Sequence, residues 1–289
     1  MRMSARAWWL FGCVAALLGL PACVASEGPG ETATFVMARV DFVTQPEEDG
    51  TVRGFNLDGL DHMGAPAVEG CFKPDYVSPE GETGVDNQLS SLGAALVVFG
   101  ADSVSTIVQS MVNEGKLLLI AEVGDLHDWE NDPHVTLRFR LGQGPVDVGT
   151  DERLVPGQSF DPLPGYQFEA TTQARVEDGV LHAEAVSVTL PIEMLGVELD
   201  FPMLDGRVEL RLDQGEYTIE GRMGGAVPIS ALDELVADIY IASGMDEGLT
   251  NLVRAVLRGV ADLSPRPGAG CDRMSSAMDL GGVRAFVLE

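Results

Sequence analysis

The sequence predicts an α+β fold, in which an antiparallel β-sheet, sandwich-like or curved, is covered by a few amphipathic helices. Several short segments alternate apolar and polar residues, which is the pattern of half-buried strands. Turns between such segments contain Asp-Gly or Gln-Gly, and Asp-Gly is a strong hairpin signal. Further segments place apolar residues at helical spacing. We therefore expect residues 34–289 to form one domain of this class.

The start of the chain predicts export. Arg2 and Arg6 precede an uncharged apolar run over residues 7–20. The run is shorter than the about 20 residues that a membrane-spanning helix needs. A basic start followed by a short apolar core is typical of a secretory signal peptide, and residues 1–22 are interpreted in this way.

The apolar run ends in Leu20-Pro21-Ala22-Cys23, which resembles the bacterial lipobox. The resemblance implies cleavage before Cys23 and a lipid anchor on this cysteine. A plain secreted protein, cut after Ser26, is the alternative. Residues 23–33 are small and polar, which predicts a flexible tether. Because Val24 rather than an aspartate follows the cysteine, the enteric sorting rule favours the outer membrane of a bacterial cell envelope.

The charge of the chain narrows its partners. The sequence has 45 acidic and 18 basic residues, a formal net charge of −27. Loss of Arg2 and Arg6 with the signal peptide makes the mature chain more acidic still. This charge argues against binding of nucleic acid and against direct adhesion to anionic lipid. We therefore expect contact with the membrane through the lipid anchor.

Two of the four cysteines remain available for a disulfide. Cys13 leaves with the signal peptide and Cys23 carries the lipid, so Cys71 and Cys271 are left. Exported proteins meet an oxidising compartment, and we expect these two cysteines to pair. The chain-entropy model gives a bridge over such a long loop at most about 5 kcal/mol of stabilisation.

The first half of the domain predicts strands and one helix. Residues 34–44 alternate and predict a first strand, while residues 89–99 show only weak helical spacing. Residues 103–115 carry an apolar stripe that ends at a glycine, which predicts a helix. Residues 116–123 are nearly all apolar, as in a strand covered on both faces. Residues 135–141 alternate again.

Two β-hairpins are predicted in the middle of the chain. The first joins residues 166–176 to residues 180–190 through a turn at Asp178-Gly179. A shift of the apolar parity after Ala185 predicts a β-bulge in its second strand. The second hairpin turns at Gln214-Gly215.

Two amphipathic helices and a short strand are predicted near the C-terminus. The helical stripes lie over residues 232–239 and 249–260. Asp246 is expected to cap the second helix, because an aspartate side chain accepts hydrogen bonds from free N–H groups at a helix start. The strand is predicted over residues 285–288.

Residues 54–89 have the acidic, glycine-rich composition of a candidate calcium site. Calcium prefers six to eight oxygen ligands on a flexible loop, and a long loop in a compact domain needs an organiser. Asn56-Leu57-Asp58-Gly59 resembles the middle of the calcium loop of EF-hand and dockerin modules, although Gly54 and Ala65 stand where its first acid and closing glutamate are expected. A solvated acidic loop is the alternative. The candidate ligands are Asn56, Asp58, Asp61, Asp75, Glu80, Glu82 and Asp86.

A second polar cluster separates two predicted strands and consists of His127, Asp128, Glu130, Asp132 and His134. Two histidines and three acids could bind zinc, but their spacing matches no standard zinc motif. A polar connection between strands is the favoured interpretation. The sequence has no nucleophile elbow, phosphate loop, dinucleotide fingerprint or Cys-x-x-Cys motif, so we predict no catalytic residue.

Several segments together resemble uncharacterised predicted lipoproteins of myxobacteria and related Gram-negative bacteria. The resemblance rests on the lipobox, GFNLDG at residues 54–59, Cys71, GVDNQL at residues 84–89, and Cys271. It implies a location in the cell envelope and no particular activity.

These observations favour a non-enzymatic, lipid-anchored envelope protein that acts as a binding or structural module, with calcium as its one expected cofactor. The first alternative is a carrier of an apolar ligand in a cavity between sheet and helices. It depends on whether the inward residues Tyr166, Phe168, Tyr217 and Met223 leave a void. The second alternative is a metal-dependent hydrolase, which requires His127 and His134 to converge.

Overall fold

A computed structural model describes residues 28–61, 73–93, 104–163, 170–194, 197–243, 246–264 and 270–288. The strands are β1 (Glu31–Phe42), β2 (Leu118–Leu126), β3 (Asp132–Gln143), β4 (Gln158–Pro162), β5 (Ala170–Glu177), β6 (Val180–Met194), β7 (Val197–Asp213), β8 (Thr218–Pro228) and β9 (Arg273–Val287). The helices of these ranges are a 3₁₀ helix (Gln88–Leu92), α1 (Val104–Asn113), α2 (Ile229–Ser243) and α3 (Glu247–Gly259). The predicted signal peptide, the lipobox with Cys23, and Cys71 lie outside the described residues.

Eight strands form a closed antiparallel barrel in the order β1-β2-β3-β5-β6-β7-β8-β9, and β9 pairs back to β1. The predicted sandwich-like or curved α+β fold is therefore wrong, because the molecule is mostly sheet with few short helices. Half-buried antiparallel strands show the same alternation in an open sheet and in a barrel, so the sequence pattern carries no signal for closure. The first half of β1 pairs with β2 and its second half pairs with β9, which closes the ring.

Strand β4 adds a short flap outside this ring. It pairs in parallel with the end of β9, from Gln158 beside Ala285 onwards, and meets the end of β3 at Gly142. The side chain of Phe160, on β4, is fully buried and lies next to Gly142 of β3. The end of β9 is therefore held away from β1 and over the outer face of the barrel.

The interior of the barrel is a packed apolar core. Inward-facing side chains from every part of the ring are fully buried, among them Phe35, Met37, Phe139, Leu210 and Met278. An eight-stranded barrel is just wide enough for its own side chains to fill it or to hold one small ligand. The buried residues join in one continuous hydrophobic cluster, which stabilises the closed sheet.

We call the two ends of the barrel the tether end, where β1 begins, and the helix end, where α1 and α2 pack. Phe35, Trp129 and Tyr217 form an aromatic cluster at the tether end, with ring centroids 5.3–6.4 Å apart. At the helix end, Gln109 of α1 donates a hydrogen bond to the carbonyl of Ala38 at a bulge in β1. In the described part of the chain, no helix combines the length and apolar composition that a membrane crossing requires.

Several element predictions are confirmed. The first hairpin turns at Asp178 and Gly179, which both have positive φ angles (51° and 75°), as the turn requires. The bulge near Ala185 is present, and the β7–β8 hairpin forms with its turn over residues 214–217, which includes the predicted Gln214-Gly215. Asp246 caps α3 by accepting hydrogen bonds from the amides of Gly248 and Leu249. Residues 166–169 of the first predicted hairpin lie outside the described residues.

Three predictions of element position are wrong. The last strand is much longer than residues 285–288, since β9 begins at Arg273. The first half of β7 and the whole of β4 are strands where the sequence pattern predicts none. The apolar stripe of α3 faces solvent in part rather than closing the domain, with Leu252 58% exposed.

Residues 43–61 and 73–93 form a covering segment over the outer face of β8 and β9. Phe55 packs on Gly224, where any larger residue would meet the phenyl ring. The amide of Gln88 donates to Ser275 Oγ, and Arg53 forms an ion pair with Asp279. Val43 and Val52 form a small apolar cluster with Ala277. Two faces of β9 are therefore buried, one inside the barrel and one under this segment.

Candidate functional site

A polar cleft of about 500 Å³ lies on the outer face of β1, β2 and β3. Its floor consists of outward-facing residues of these strands, and Phe286 and Val287 at the end of β9 form one wall. The volume lies within the range of about 300–1,000 Å³ that small-molecule sites occupy. Because the outward positions of paired strands form the floor, the side chains stand on a rigid surface.

A row of polar side chains crosses the cleft from strand to strand. The register pairs Thr34 of β1 with Glu122 of β2, Glu122 with Arg138 of β3, and Arg138 with Thr171 of β5. Directly paired residues on one face of a sheet stand close enough for their side chains to interact. The strand alternation therefore brings a carboxylate, a guanidinium group and two hydroxyl groups into one line.

Glu122 lies between two arginines. Its Oε2 atom is 2.9 Å from Nη2 of Arg140 and 3.8 Å from Nη1 of Arg138. The Arg138 Nε–H donates to Thr171 Oγ1 over 3.3 Å. Within the described residues, the buried Nε–H of Arg140 meets no acceptor. The single carboxylate of Glu122 is thus the ionic partner of two guanidinium groups, each of which carries five N–H donors.

Residues 28–30, at the end of the predicted tether, reach the barrel at its tether end, beside this cleft. Gly30 packs against the backbone of Asp125, an exposed acid of the cleft near the end of β2. A ring nitrogen of His127 lies 2.9 Å from the carbonyl oxygen of Gly28. The chain that precedes β1 therefore reaches the barrel next to the cleft.

This cleft is not among the sites predicted from the sequence. Arg138 and Arg140 occupy outward positions of a strand whose alternation is predicted correctly. Glu122 lies in residues 116–123, whose apolar run predicts a strand covered on both faces. The signal that could have found them is the pair of arginines on one strand face in a chain with few basic residues. The contribution of β9 was not accessible, because its end was not predicted to fold over this face.

The predicted calcium ligands in GFNLDG hold the backbone of their own turn. Asn56 Oδ1 accepts from the amide of Gly59, and its Nδ2 donates to the carbonyl of Leu60. Asp58 Oδ1 accepts from the amide of Leu60 over 2.8 Å. These are Asx-type turn contacts, which order a loop without an ion.

Asp86 ties this turn to the rest of the covering segment. Its Oδ2 atom accepts from the amides of Leu57 and Asp58, over 2.7 and 3.3 Å. Burial, reinforced by the negative charge of Asp58, raises the pKa of Asp86 to about 8. A nearby acid behaves similarly, since burial raises the pKa of Asp262 to about 7 although Ser275 donates hydrogen bonds to it. Two buried carboxyl groups therefore titrate near neutral pH, far above the ordinary pKa of aspartate.

The other predicted ligands differ in exposure, and Asp75 lies near enough to Asp86 for its charge to raise the pKa of that acid. Asp75 is buried, whereas Asp61, Glu80 and Glu82 are exposed. In the described ranges, no group of three or more His, Cys, Asp or Glu side chains is arranged to hold a metal ion. Calcium binding by this segment stays a prediction.

The His127 to His134 cluster caps the tether end of β2 and β3. Burial would raise the pKa of Asp132, but hydrogen bonds from the backbone amides of His127, His134 and Asp128 outweigh burial and hold the pKa below its usual value. His127 Nδ1 is 3.5 Å from Asp132, while the side chain of His134 is exposed. This geometry is that of a polar connection between two strands.

The structure describes one of the two cysteines of the predicted disulfide. Cys271 is disulfide-bonded and precedes β9 by two residues. Cys71 lies outside the described residues. The pairing of Cys71 with Cys271 therefore stays a prediction.

Of the four residues that decide whether an interior cavity exists, Tyr217 and Met223 lie in the described ranges. Met223 is fully buried in the barrel core. Tyr217 is half-buried at the tether end, where it packs against Phe35 and where the Arg284 guanidinium lies 4.6 Å from its ring centroid. Both side chains fill space that a ligand would need. Tyr166 and Phe168 lie outside the described residues.

The fold defines the class of this protein as a closed, eight-stranded antiparallel β-barrel with a polar cleft on its outer face. Such a barrel fits a ligand carrier or a structural module. Comparisons of the chain with protein-family models, with curated proteins and with solved structures found no match. The function must therefore be argued from the cleft and its surroundings.

Proposed function

We propose that this chain is a lipid-anchored, non-enzymatic binding module of the cell envelope, with the outer cleft as its ligand site. The cleft carries the proposal, because it presents Glu122, Arg138 and Arg140 on paired strands. Side chains on strands keep their geometry better than side chains on loops, which favours recognition of a specific ligand. The packed interior supports the same division, in which the barrel is the scaffold and its outer face binds.

The position of the cleft suits a tethered protein. Gly30, which packs beside Asp125 at the tether end of the cleft, is the seventh residue after Cys23. Seven extended residues span at most about 25 Å. A lipid on Cys23 would therefore keep the cleft close to the membrane surface, where ligands of the envelope are concentrated.

The anchor is tested by Cys23→Ser, with Cys13→Ser as the matched control. We expect Cys23→Ser to abolish labelling by a fatty-acid probe and to release the protein from the membrane fraction. Cys13→Ser, which removes a cysteine of the predicted signal peptide, should leave the labelling unchanged. Labelling that survives in Cys23→Ser would overturn the envelope-anchor part of the proposal and would leave the cleft unaffected.

A further inference from the structure

We propose that the outer cleft binds an acidic sugar, that is, a saccharide with one carboxylate or phosphate group. This inference rests on the proposed function, since it names the ligand class of the same cleft. The anionic group would lie against Arg138 and Arg140, and the sugar ring would lie along the threonines and the wall formed by Phe286.

The two arginines favour an anionic group. They share the single carboxylate of Glu122, and the longer of the two contacts, 3.8 Å to Arg138, exceeds hydrogen-bonding distance. Guanidinium N–H donors are therefore in excess over the acceptors of the cleft floor. The planar fork of arginine matches the two oxygens of a carboxylate or phosphate group, which makes charge-assisted hydrogen bonds of this kind strong.

The distribution of charge along the cleft determines the orientation in which the ligand would bind. Arg138 and Arg140 lie opposite the middle of β2, whereas Asp125 lies three residues beyond Glu122 toward the tether end. The arginine side of the cleft is thus cationic and its tether side is acidic. An anionic group is attracted to the first and repelled from the second, so it would bind at the end away from Asp125.

The remaining lining favours a sugar over a bare anion. Thr32, Thr34, Thr136 and Thr171 supply hydroxyl groups that both donate and accept hydrogen bonds, as sugar hydroxyls do. Phe286, which is 45% exposed, and Val287 supply an apolar wall. A volume of about 500 Å³ is far larger than an isolated carboxylate or phosphate ion needs. The cleft therefore has partners for both the anionic and the neutral parts of such a ligand.

Binding is measured by isothermal titration calorimetry on the purified full-length protein. The probes are D-galacturonate and D-glucose 6-phosphate, with D-glucose and inorganic phosphate as comparisons. We expect at least one acidic sugar to bind more tightly than both comparisons. Equal affinity for D-glucose would overturn the anionic subsite, and equal affinity for inorganic phosphate would overturn the sugar subsite.

Two variants locate the binding. Arg138→Gln should weaken the acidic sugar about tenfold, because a hydrogen bond to a charged group contributes about 1.5 kcal/mol or more. Glu122→Gln should strengthen binding several-fold, because it removes the carboxylate that competes for the arginines. Arg175→Gln is the matched control: Arg175 is an exposed, ion-paired arginine on β5 outside the cleft lining, so its loss should change affinity less than twofold.

The result that would contradict the location is an unchanged affinity in both Arg138→Gln and Glu122→Gln. Circular dichroism and a thermal melt establish that each variant is folded, and Glu122→Gln retains the test if Arg138→Gln is not. Failure of sugar binding with an intact lipid anchor would remove the ligand class and leave the envelope assignment. Loss of the anchor with intact binding would do the reverse.

The source of the sugar is distinguished by a second arm. Phosphatidylcholine vesicles with and without a phosphorylated glucosamine glycolipid are sedimented with the Cys23→Ser variant, which cannot carry the proposed lipid anchor, so that vesicle binding reports on the protein surface. Binding to the glycolipid vesicles that soluble acidic sugar displaces, and that Arg138→Gln loses, would assign a lipid headgroup. Binding of the soluble sugar without vesicle binding would assign a free or wall-derived saccharide. Vesicle binding that soluble sugar does not displace would contradict the cleft as the site.

Discussion

Polar residues on the two sides of the barrel lie in opposite environments. On the cleft side, Glu122, Arg138 and Arg140 pair with one another along the cleft, and their side chains keep 15%, 39% and 17% of their surface exposed. On the β8–β9 side, Asp86 and Asp262 are buried, and burial raises the pKa of the two acids to about 8 and about 7. A barrel face that stays uncovered can bind a ligand, whereas a face that is covered contributes to stability.

The same contrast explains what the sequence could predict. Residues 135–141 alternate because one face of β3 is partly exposed, and residues 116–123 form a continuous apolar run, so both patterns predict strands close to the observed bounds of β3 and β2. Strand β9 is buried on both faces from Met274 to Gly282, so its sequence, rich in Met, Ser and Gly, shows no alternation. Only its end, beyond the covering segment, was recognised as a strand.

Long-range contacts account for the rest of what the sequence did not predict. Closure depends on β1 exchanging its partner from β2 to β9 near Phe35, which local patterns do not encode. The cleft depends on the flap that β4 and the end of β9 form over distant strands. Local signals fared better: Asp178-Gly179 and the Asp246 cap were predicted correctly, because turn and cap chemistry depends on adjacent residues.

The largest expected effect is on the free energy of unfolding, when a phenylalanine is replaced by alanine on the covered face and on the open face. Phe55→Ala should lower the free energy of unfolding by about 3 kcal/mol, because Phe55 is buried between the covering segment and Gly224. Phe286→Ala, on the exposed wall of the cleft, should cost less than about 1 kcal/mol. Urea denaturation measures both values, and equal losses would show that the covering segment contributes no more than the open face.

A second prediction concerns pH. In the unfolded chain Asp86 ionises near the ordinary aspartate pKa of 3.8, whereas the folded protein keeps this proton until about pH 8. The folded state binds more protons between these values, so the stabilisation by this proton is complete below pH 4 and is lost as the pH rises toward 8. Between pH 5.5 and 7.5 Asp86 should lower the free energy of unfolding by at most about 1.4 kcal/mol per pH unit.

The variants Asp86→Asn and Glu220→Gln test the origin of this slope in denaturation series at several pH values. Asparagine can still accept the two amide hydrogen bonds but does not titrate, so Asp86→Asn should reduce the slope and leave the part that Asp262 contributes. Glu220, whose side chain is 70% exposed on β8, should leave the profile unchanged when it is replaced. A profile of Asp86→Asn that matches the wild type would refute the assignment to Asp86.

The smallest expected effect is that of calcium on the covering segment. At a tenfold excess over Kd, binding to the folded state alone would raise the stability by about 1.4 kcal/mol. The thermal melt should rise with calcium in the wild type and rise less in Asp58→Asn, while the matched variant Asp161→Asn on β4 responds as the wild type does. An equal response to calcium and to sodium at matched ionic strength would indicate screening alone.

The central claim, that the barrel core is a scaffold and the outer cleft is the binding surface, is tested most directly by nuclear magnetic resonance. The buried methionines Met37, Met223 and Met278 report on the interior through their methyl groups, and the backbone amides of Thr34, Arg138 and Thr171 report on the cleft. Titration with D-galacturonate or D-glucose 6-phosphate should shift the cleft amides and leave the methionine methyls in place. Shifts of the methionine methyls with unchanged cleft amides would contradict the claim and identify the barrel interior as the binding site.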